Sequence, residues 1–577
     1  MRLPPRRVLV RRRLVLLLIG SSLSMLAHPA FAAASDAIKS ADKALAAATV
    51  ALQHQDYRGA IRLLEPAMTA LDGRAGAWRS LGFAHLKLHE SAAAQTAYTK
   101  ALAIEPDNQQ PLLYLGIAAA QLGQSEQALA WLRKARDSRR IDMTQLEVEP
   151  DLRVLRSDPS FADLLPRPAD FAHPFVEDVH IIREWQGEAA GDQFGWIARA
   201  IGDVDGDGVN DFVTSAPTKN IRGENAGRIY VYSGRTGALL WSADGAPGDQ
   251  FGNGIEAAGD TNGDGIPDVV GGAPAIDTAY VYSGRDGRVL LTLHGEAKGD
   301  NFGDHVASAG DFNGDGYADI IVGAPANNAR GKGAGRAYVY SGRDGRLLLT
   351  LSGRHAGDAF GSTVAGYADK ARRFLVVGAP GAGPQHKGRV YVYRDLSAHP
   401  AFVIDADSSG AALGYMFVSV LGDVDGDGVP DIFASDWSDA SKGAGTGKTY
   451  IYSGRTGRRL YIFTGETAGE GFGTTQSVAG DVNGDGRADL IIGSWQYSAA
   501  AQSGGRAYLY DGRSGRLLRT YTCRIPGDTF GFDAVGLGAV DDTGQAELLI
   551  TSGWSGIHGH HSGRIFLISS GVRPGAN

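Results

Sequence analysis

Cysteine is nearly absent. Cys523 is the only one in 577 residues, so no intramolecular disulfide can brace the fold. After the first 32 residues no apolar run approaches the ~20 residues that cross a bilayer, so no membrane span is expected in the remainder. No lysine- and arginine-rich face points to nucleic acid. No Ser/His/Asp grouping, phosphate-cradling glycine loop or zinc-type ligand spacing stands out, so no catalytic residue is assigned. Glycine is sparse before about residue 180, and most of the 81 glycines lie beyond it. That break separates Ala-rich helical sequence from a region of short strands and tight turns.

What is present begins with an export signal. Arg6, Arg7, Arg11, Arg12 and Arg13 precede an apolar stretch from Leu14 to Leu26, and Ala30-Phe31-Ala32 follows as a cleavage site. Residues 1–32 therefore read as a secretory signal peptide, which places the chain in the periplasm, at the cell surface or outside the cell. No cysteine lies near the cleavage site to carry a lipid. Loss of these five arginines and Arg2 takes the formal charge from −8 to −14.

Much of that acidity is concentrated in one recurring loop. Asp203, Asp205, Asp207 and Asp211 occupy positions one, three, five and nine of a glycine-containing nonapeptide. The pattern returns as Asp260, Asn262, Asp264 and Asp268, and as Asp311, Asn313, Asp315 and Asp319. It returns twice more, as Asp423, Asp425, Asp427 and Asp431, and as Asp481, Asn483, Asp485 and Asp489. Short oxygen side chains at alternate positions converge on one hard cation, and Ca²⁺ accepts six to eight such oxygens. Position seven adds a backbone carbonyl, from Val209, Ile266, Tyr317, Val429 and Arg487 in turn. The loop lacks the position-twelve glutamate and flanking helices of an EF-hand, and an apolar run follows each copy. It reads as a strand–loop–strand calcium site, repeated about five times.

Residues 33–142 carry a 3.6-residue apolar period. Trp78, Leu81, Gly82, His85, Ala94, Tyr98 and Ala101, with Pro106 after them, sit at one repeat spacing, and the first seven positions recur 34 residues on as Leu112, Leu115, Gly116, Ala119, Ala128, Leu132 and Ala135. That spacing resembles tetratricopeptide repeats, whose concave face implies a peptide or protein partner. Residues 143–178 read as a terminal helix and a linker.

From 179 to 577 each acidic loop sits in a unit of 51–59 residues. A unit opens on Phe-Gly (Phe194, Phe251, Phe302, Phe360, Phe472 and Phe530, with Leu413-Gly414 between the fourth and sixth units). It runs through the acidic loop to Gly-Ala-Pro or a variant, and then to a Gly-Arg-x-Tyr-Val-Tyr-Ser-Gly strand. Units four and seven lack the acidic loop. Seven units of four strands predict a seven-bladed β-propeller. The last unit stops after three strands, and His180–Gln186 supplies the phase of the missing fourth. Phe-Gly, the Asp loop and Gly-Ala-Pro together resemble the FG-GAP repeats of integrin α-subunit propellers and of bacterial secreted proteins. The resemblance implies calcium on one propeller face and ligand on the other.

The expected architecture is therefore multidomain, all-α helical repeats followed by an all-β seven-bladed propeller. The expected function is an exported, non-catalytic calcium-binding protein of protein–protein or adhesion type. The alternative is a propeller-based enzyme acting on polysaccharide or lipid. Trp437, Trp495 and Trp554 replace the proline of Gly-Ala-Pro in the last three units. They either pack against their own loops or centre a face for a protein or glycan partner. His558, His560 and His561 form a solvated loop or a second metal site.

Overall fold

The computed structural model describes residues 29–575 apart from 476–477, 542–543 and 574, with side chains from residue 37 on. Most of the expected signal peptide lies outside the described residues. Its last four residues, from Pro29, begin the first helix, Pro29–Gln53. Among the described residues no helix is long and apolar enough to cross a membrane.

The chain forms two compact units that divide between Ala118 and Ala119. In the first, Tyr57–Leu64, Ala75–Lys87 and Ser91–Ile104 follow the opening helix as antiparallel-style hairpin partners. Asp56 caps Tyr57–Leu64 by accepting the Gly59 N–H at 2.8 Å. Small side chains set the helix spacing. A Cβ on Gly82 would lie 3.1 Å from the Tyr98 ring, and that ring stacks on Tyr114 with centroids 5.0 Å apart. Ala41, Ala48, Ala60, Leu64 and Leu81 form the core.

The second unit holds the helix Ser125–Asp137, four short helical turns between Gln145 and Phe171, and seven four-stranded antiparallel sheets. These sheets are the blades of a seven-bladed propeller. Blade one is Ala198–Gly202, Asp211–Ala216, Arg228–Tyr232 and Leu239–Asp244, and five further blades repeat that order. Each second strand is sandwiched between neighbouring blades. Asp211–Ala216, Asp268–Ala273 and Asp319–Ala324 are accordingly buried along their whole length, which is why they read as unbroken apolar runs rather than alternating ones. Outer strands are more open to water, four of them beginning on the exposed residues Leu239, Val289, Leu347 and Leu517.

Ring closure follows the phase of the repeat. Blade seven takes three strands from Ala534–Gly538, Glu547–Ser552 and Arg564–Ser569, and its fourth, Ile181–Gln186, from the start of the propeller. The pairing joins both ends of the ring in one sheet and leaves no open edge at the seam.

Neighbouring blades are joined by a main-chain clasp that explains two of the recurring motifs. The glycine before each third strand lies against the Phe-Gly turn of the next blade. Gly227 meets Phe251, Gly335 Phe360, Gly447 Phe472 and Gly505 Phe530, and Gly563 meets Phe194 across the seam. A Cβ at any of these glycines would sit 2.0–2.2 Å from the facing phenylalanine carbonyl oxygen, and φ lies between +79° and +90°. Only glycine meets both demands. Phe251, Phe360 and Phe530 also donate their N–H to main-chain carbonyls of the preceding blade at 2.9–3.1 Å. Gly388 makes the same contact with Leu413 in the unit that lacks Phe. In blade two Asp277 replaces the glycine, at φ +52°, and its carboxylate accepts the N–H groups of Gly299 and Phe302 at 2.6 and 3.1 Å.

Segment 174–178 is stitched onto blade six. Val176 donates its N–H to the Thr522 carbonyl, Arg524 donates to that of Pro174, and Glu177 accepts from the Thr522 N–H and hydroxyl. Phe175 packs edge-on to Phe530 and Phe566 at 4.9 and 5.2 Å. Beside it Arg564, fully buried, pairs with Asp528 at 2.7 Å and covers the Phe566 ring.

The clasp predicts an asymmetry between two glycines of one loop. Gly335→Ala drives a methyl into the Phe360 carbonyl and costs about 3 kcal/mol or more. Gly333, at φ +62° with open space where a Cβ would lie, costs only the left-handed backbone penalty, about 1 kcal/mol. Urea unfolding of the two variants measures both.

Candidate metal loops and an aromatic cluster

Each acidic loop is folded by its own carboxylates. Asp203 accepts N–H groups from Gly206 at 2.7 Å, Asp207 at 3.2 Å and Gly208 at 2.9 Å, which curls the backbone around its side chain. Gly206 and Gly208 sit at φ +82° and +84°, as the turn requires. Asp260, Asp311, Asp423 and Asp481 hold the equivalent two glycines at 2.5–3.0 Å. Positions three and five accept the N–H groups two residues on, as Asp205 does from Asp207 and Asp207 from Val209.

Position nine does more than sequence reasoning assigned it. Asp211 opens the second strand, fully buried, and accepts N–H groups from Val204 inside the loop and from Gly234 after the third strand, at 2.8 and 2.9 Å. Asp268, Asp319, Asp431 and Asp489 bind Gly284, Gly342, Gly454 and Gly512 in the same way. The glycine that follows the third strand in these five blades, after Ser in four and after Asp511 in blade six, is thus the donor to a buried carboxylate, a role its spacing alone does not announce. Burial pushes the carboxyls of Asp319, Asp431 and Asp489 up to about 6, partly against the hydrogen bonds they accept.

Two loops bring three carboxylate oxygens within 4.8 Å of one another, Asp203 with Asp205 and Asp211, and Asp423 with Asp425 and Asp431. Such a set of close anionic oxygens suits a hard divalent cation. In the three other loops position three is asparagine, and two of them, Asn262 and Asn313, donate Nδ2 to Asp268 and Asp319 at 3.1 Å. There the amide must turn its oxygen inward to serve a cation. Arg455 contacts Asp427 at 3.0 Å, and Arg487, from the loop of blade six, reaches Asp423 of blade five at 3.5 Å. Ile266, Tyr317 and Arg487 hold position seven, with their N–H groups on the preceding position-five carboxylates.

Blades four and seven dispense with the full loop differently. Blade four closes a short hairpin on Asp369, which accepts from Ala371, Arg372 and the Tyr367 hydroxyl. In blade seven Ala539 takes position one, but Glu547 fills position nine and receives the Val540 N–H at 2.7 Å. Burial, and then the neighbouring Asp541 carboxylate, push the Glu547 carboxyl up to about 7.

Each second strand runs from position nine of its acidic loop to the Gly-Ala-Pro position, so the tryptophans lie at the opposite end of the blades. They are brought together. Trp437 and Trp495 have ring centroids 6.4 Å apart, and Trp495 and Trp554 4.7 Å. Phe532 lies 5.5 Å from Trp495, and Trp196 lies 4.7 Å from Phe532. These two residues follow the Phe-Gly anchors directly, and their place in the cluster was not foreseen. Trp495 is 7% exposed and Trp437 and Trp554 are half-buried. The three indole N–H groups are all shielded and have no hydrogen-bond partner among the described residues. Near this end Arg199, almost fully buried, donates to Asp533 and to Glu256.

Comparison with known sequences matches the same elements. The FG-GAP repeat profile covers residues 194–232 and 302–340, and an FG-GAP-like repeat profile covers 423–492. The propeller is an FG-GAP propeller. The chain is 34% identical over 173 residues to integrin alpha-E of Mus musculus, a match covering 26% of this chain and 15% of that protein. It is 30% identical over 221 residues to integrin alpha-5 of Xenopus laevis, covering 34% and 20%. For integrin alpha-V of Gallus gallus the identity is 30% over 198 residues, covering 30% and 19%. The chain thus spans 15–20% of the length of these relatives.

Glu547 gives this FG-GAP propeller a pH signature. Its folded-state pKa lies above that of an unfolded glutamate, so the stabilisation tied to its proton is complete below about 4.5 and is lost as pH rises through about 7. Glu547→Gln keeps an acceptor for Val540 without the charge. It is expected to stabilise the protein by about 1–2 kcal/mol at pH 8 and to make no difference at pH 4.5. Thermal melts at the two pH values measure this.

Proposed function

We propose that the protein is exported, non-catalytic and calcium-binding, and that it docks a protein or glycan partner on the propeller end bearing Trp437, Trp495 and Trp554. The observation that carries this reading is the cluster of three adjacent indoles, two of them half-buried, whose N–H groups have no hydrogen-bond partner among the described residues. The half-buried rings of Trp437 and Trp554 offer aromatic surface that suits an amphipathic partner. The integrin relatives support a protein-binding, adhesion-type role in the cell envelope or outside the cell. The helical segment, read as tetratricopeptide repeats, offers a second surface for a peptide or protein.

Calcium in this reading is structural. Five ions would be held by Asp203, Asp205, Asp207, Asp211 and the Val209 carbonyl, and by the corresponding residues of the other four loops. Each would neutralise the carboxylates that burial disfavours and lock the hairpin at the end opposite the tryptophans. Extracellular sites of this kind bind at about 10⁻⁴–10⁻³ M. At ten times Kd one site adds about 1.4 kcal/mol of stability.

Two measurements test the proposal. Ca²⁺ is expected to raise the melting temperature relative to chelator, and Asp205→Ala, at an exposed ligand position, is expected to remove about 1.4 kcal/mol of that increment. A melt unchanged by Ca²⁺ contradicts the calcium role. Immobilised mature chain, exposed to envelope extract and culture medium in Ca²⁺, is expected to retain a protein or glycan that the triple variant W437A/W495A/W554A loses. Retention that is indifferent to the triple substitution contradicts the docking face.

A further inference from the structure

Away from the acidic loops, two histidines of blade seven meet an aspartate that precedes them by more than four hundred residues. Asp142 lies just beyond the helix Ser125–Asp137, and its ligand oxygen and one nitrogen each of His560 and His561 all fall within 4.8 Å of one another. His560 Nδ1 is 3.7 Å from Asp142 Oδ2 and 3.0 Å from the Thr144 hydroxyl. The Thr144 N–H and hydroxyl in turn bind Asp142 Oδ1 at 2.9 and 2.6 Å, which holds the carboxylate in place. Glu147 adds a second carboxylate by accepting the His560 backbone N–H at 3.0 Å.

The loop is bent to present both rings on one side. Successive side chains of an extended chain point apart, but His561 sits at φ +57°, and the two imidazoles stack with centroids 3.6 Å apart. A non-glycine residue in this left-handed region costs on the order of 1–2 kcal/mol. His561 is backed by Trp554, 5.3 Å away and nearly parallel. His558 takes no part, its Nε2 lying 2.7 Å from the Gln186 amide oxygen at the surface.

Two imidazole nitrogens and one carboxylate oxygen form a donor set for a borderline dication rather than for Ca²⁺, which prefers oxygen alone. Donors around a tetrahedral ion with bonds of about 2.1 Å lie about 3.4 Å apart, so closing the triad takes only a small side-chain movement. We propose that Asp142, His560 and His561 bind one Zn²⁺-class ion, which fastens the segment after Asp137 to the loop of blade seven. Water completes the coordination, as at other three-residue zinc sites. This inference is independent of the role assigned to the acidic loops.

Zn²⁺ titration of the full mature chain, stripped of metal and returned to Ca²⁺, tests it. One Zn²⁺ per chain is expected, with a Kd of about 1 μM or tighter, the affinity at which a specific site stands out from scattered surface histidines. Asp142→Asn keeps the acceptor for Thr144, and His561→Asn keeps a residue tolerant of positive φ. Each is expected to weaken binding about 100-fold, and His558→Gln to leave it unchanged. Absence of a stoichiometric step, or a step that both variants retain, overturns the proposal. Co²⁺ on the unsubstituted chain gives a reading free of any folding defect in the variants. Intense tetrahedral d–d bands support the site, and the weak spectrum of six-coordinate Co²⁺ overturns it.

Discussion

The propeller depends on backbone meeting backbone between blades. At each of the seven junctions the turn that opens one blade rests on the residue before the third strand of the blade behind it. In most of them nothing larger than a hydrogen atom fits between the two chains. The contact carries hydrogen bonds, and it also places the anchor phenylalanine inside the hydrophobic layer between the sheets. Phe251, Phe302 and Phe360 are all essentially inaccessible there. Because the ring closes, a junction cannot relax without disturbing its neighbours, and the seam between Phe194 and Gly563 is under the same constraint as the others.

Once the blades are fixed, their two ends differ in chemistry. One end gathers carboxylates whose position-nine members are buried and reach across the hairpin to the glycine after the third strand. The other end gathers aromatic rings from blades five, six, seven and one, with indole donors that have no partner among the described residues. Under the proposed function, a cation at the first end would offset the cost of burying charge, and a partner at the second would cover the exposed ring faces. The same strands connect the two, since each second strand starts at an acidic loop and finishes beside the ring cluster.

Much of this was legible in the chain because it is periodic. The Phe-Gly anchors, the acidic loops and the strand that completes blade seven recur at fixed spacing, so each copy supports the others. Features that depend on a single copy were not legible. Asp277 does the work of a glycine through its side chain, and Glu547 stands in for aspartate one methylene longer, so neither matches the pattern it serves. Trp196 and Phe532 join the tryptophan cluster from a different part of the repeat. Glu177 and Phe175 dock on blade six from a stretch whose composition marks it only as a linker. Asp142 meets His560 through a closure that no local spacing encodes.

The central claim is that junction glycines and buried position-nine carboxylates hold the ring, while cations order the loop tips. Hydrogen exchange of the mature chain, followed by peptide in excess Ca²⁺ and in chelator, addresses it directly. The account predicts added protection in Ca²⁺ within 203–211, 260–268, 311–319, 423–431 and 481–489. It predicts unchanged, slow exchange at the Phe-Gly junctions in both conditions. Loop peptides indifferent to Ca²⁺, or junction amides that exchange before the loops do, would contradict it.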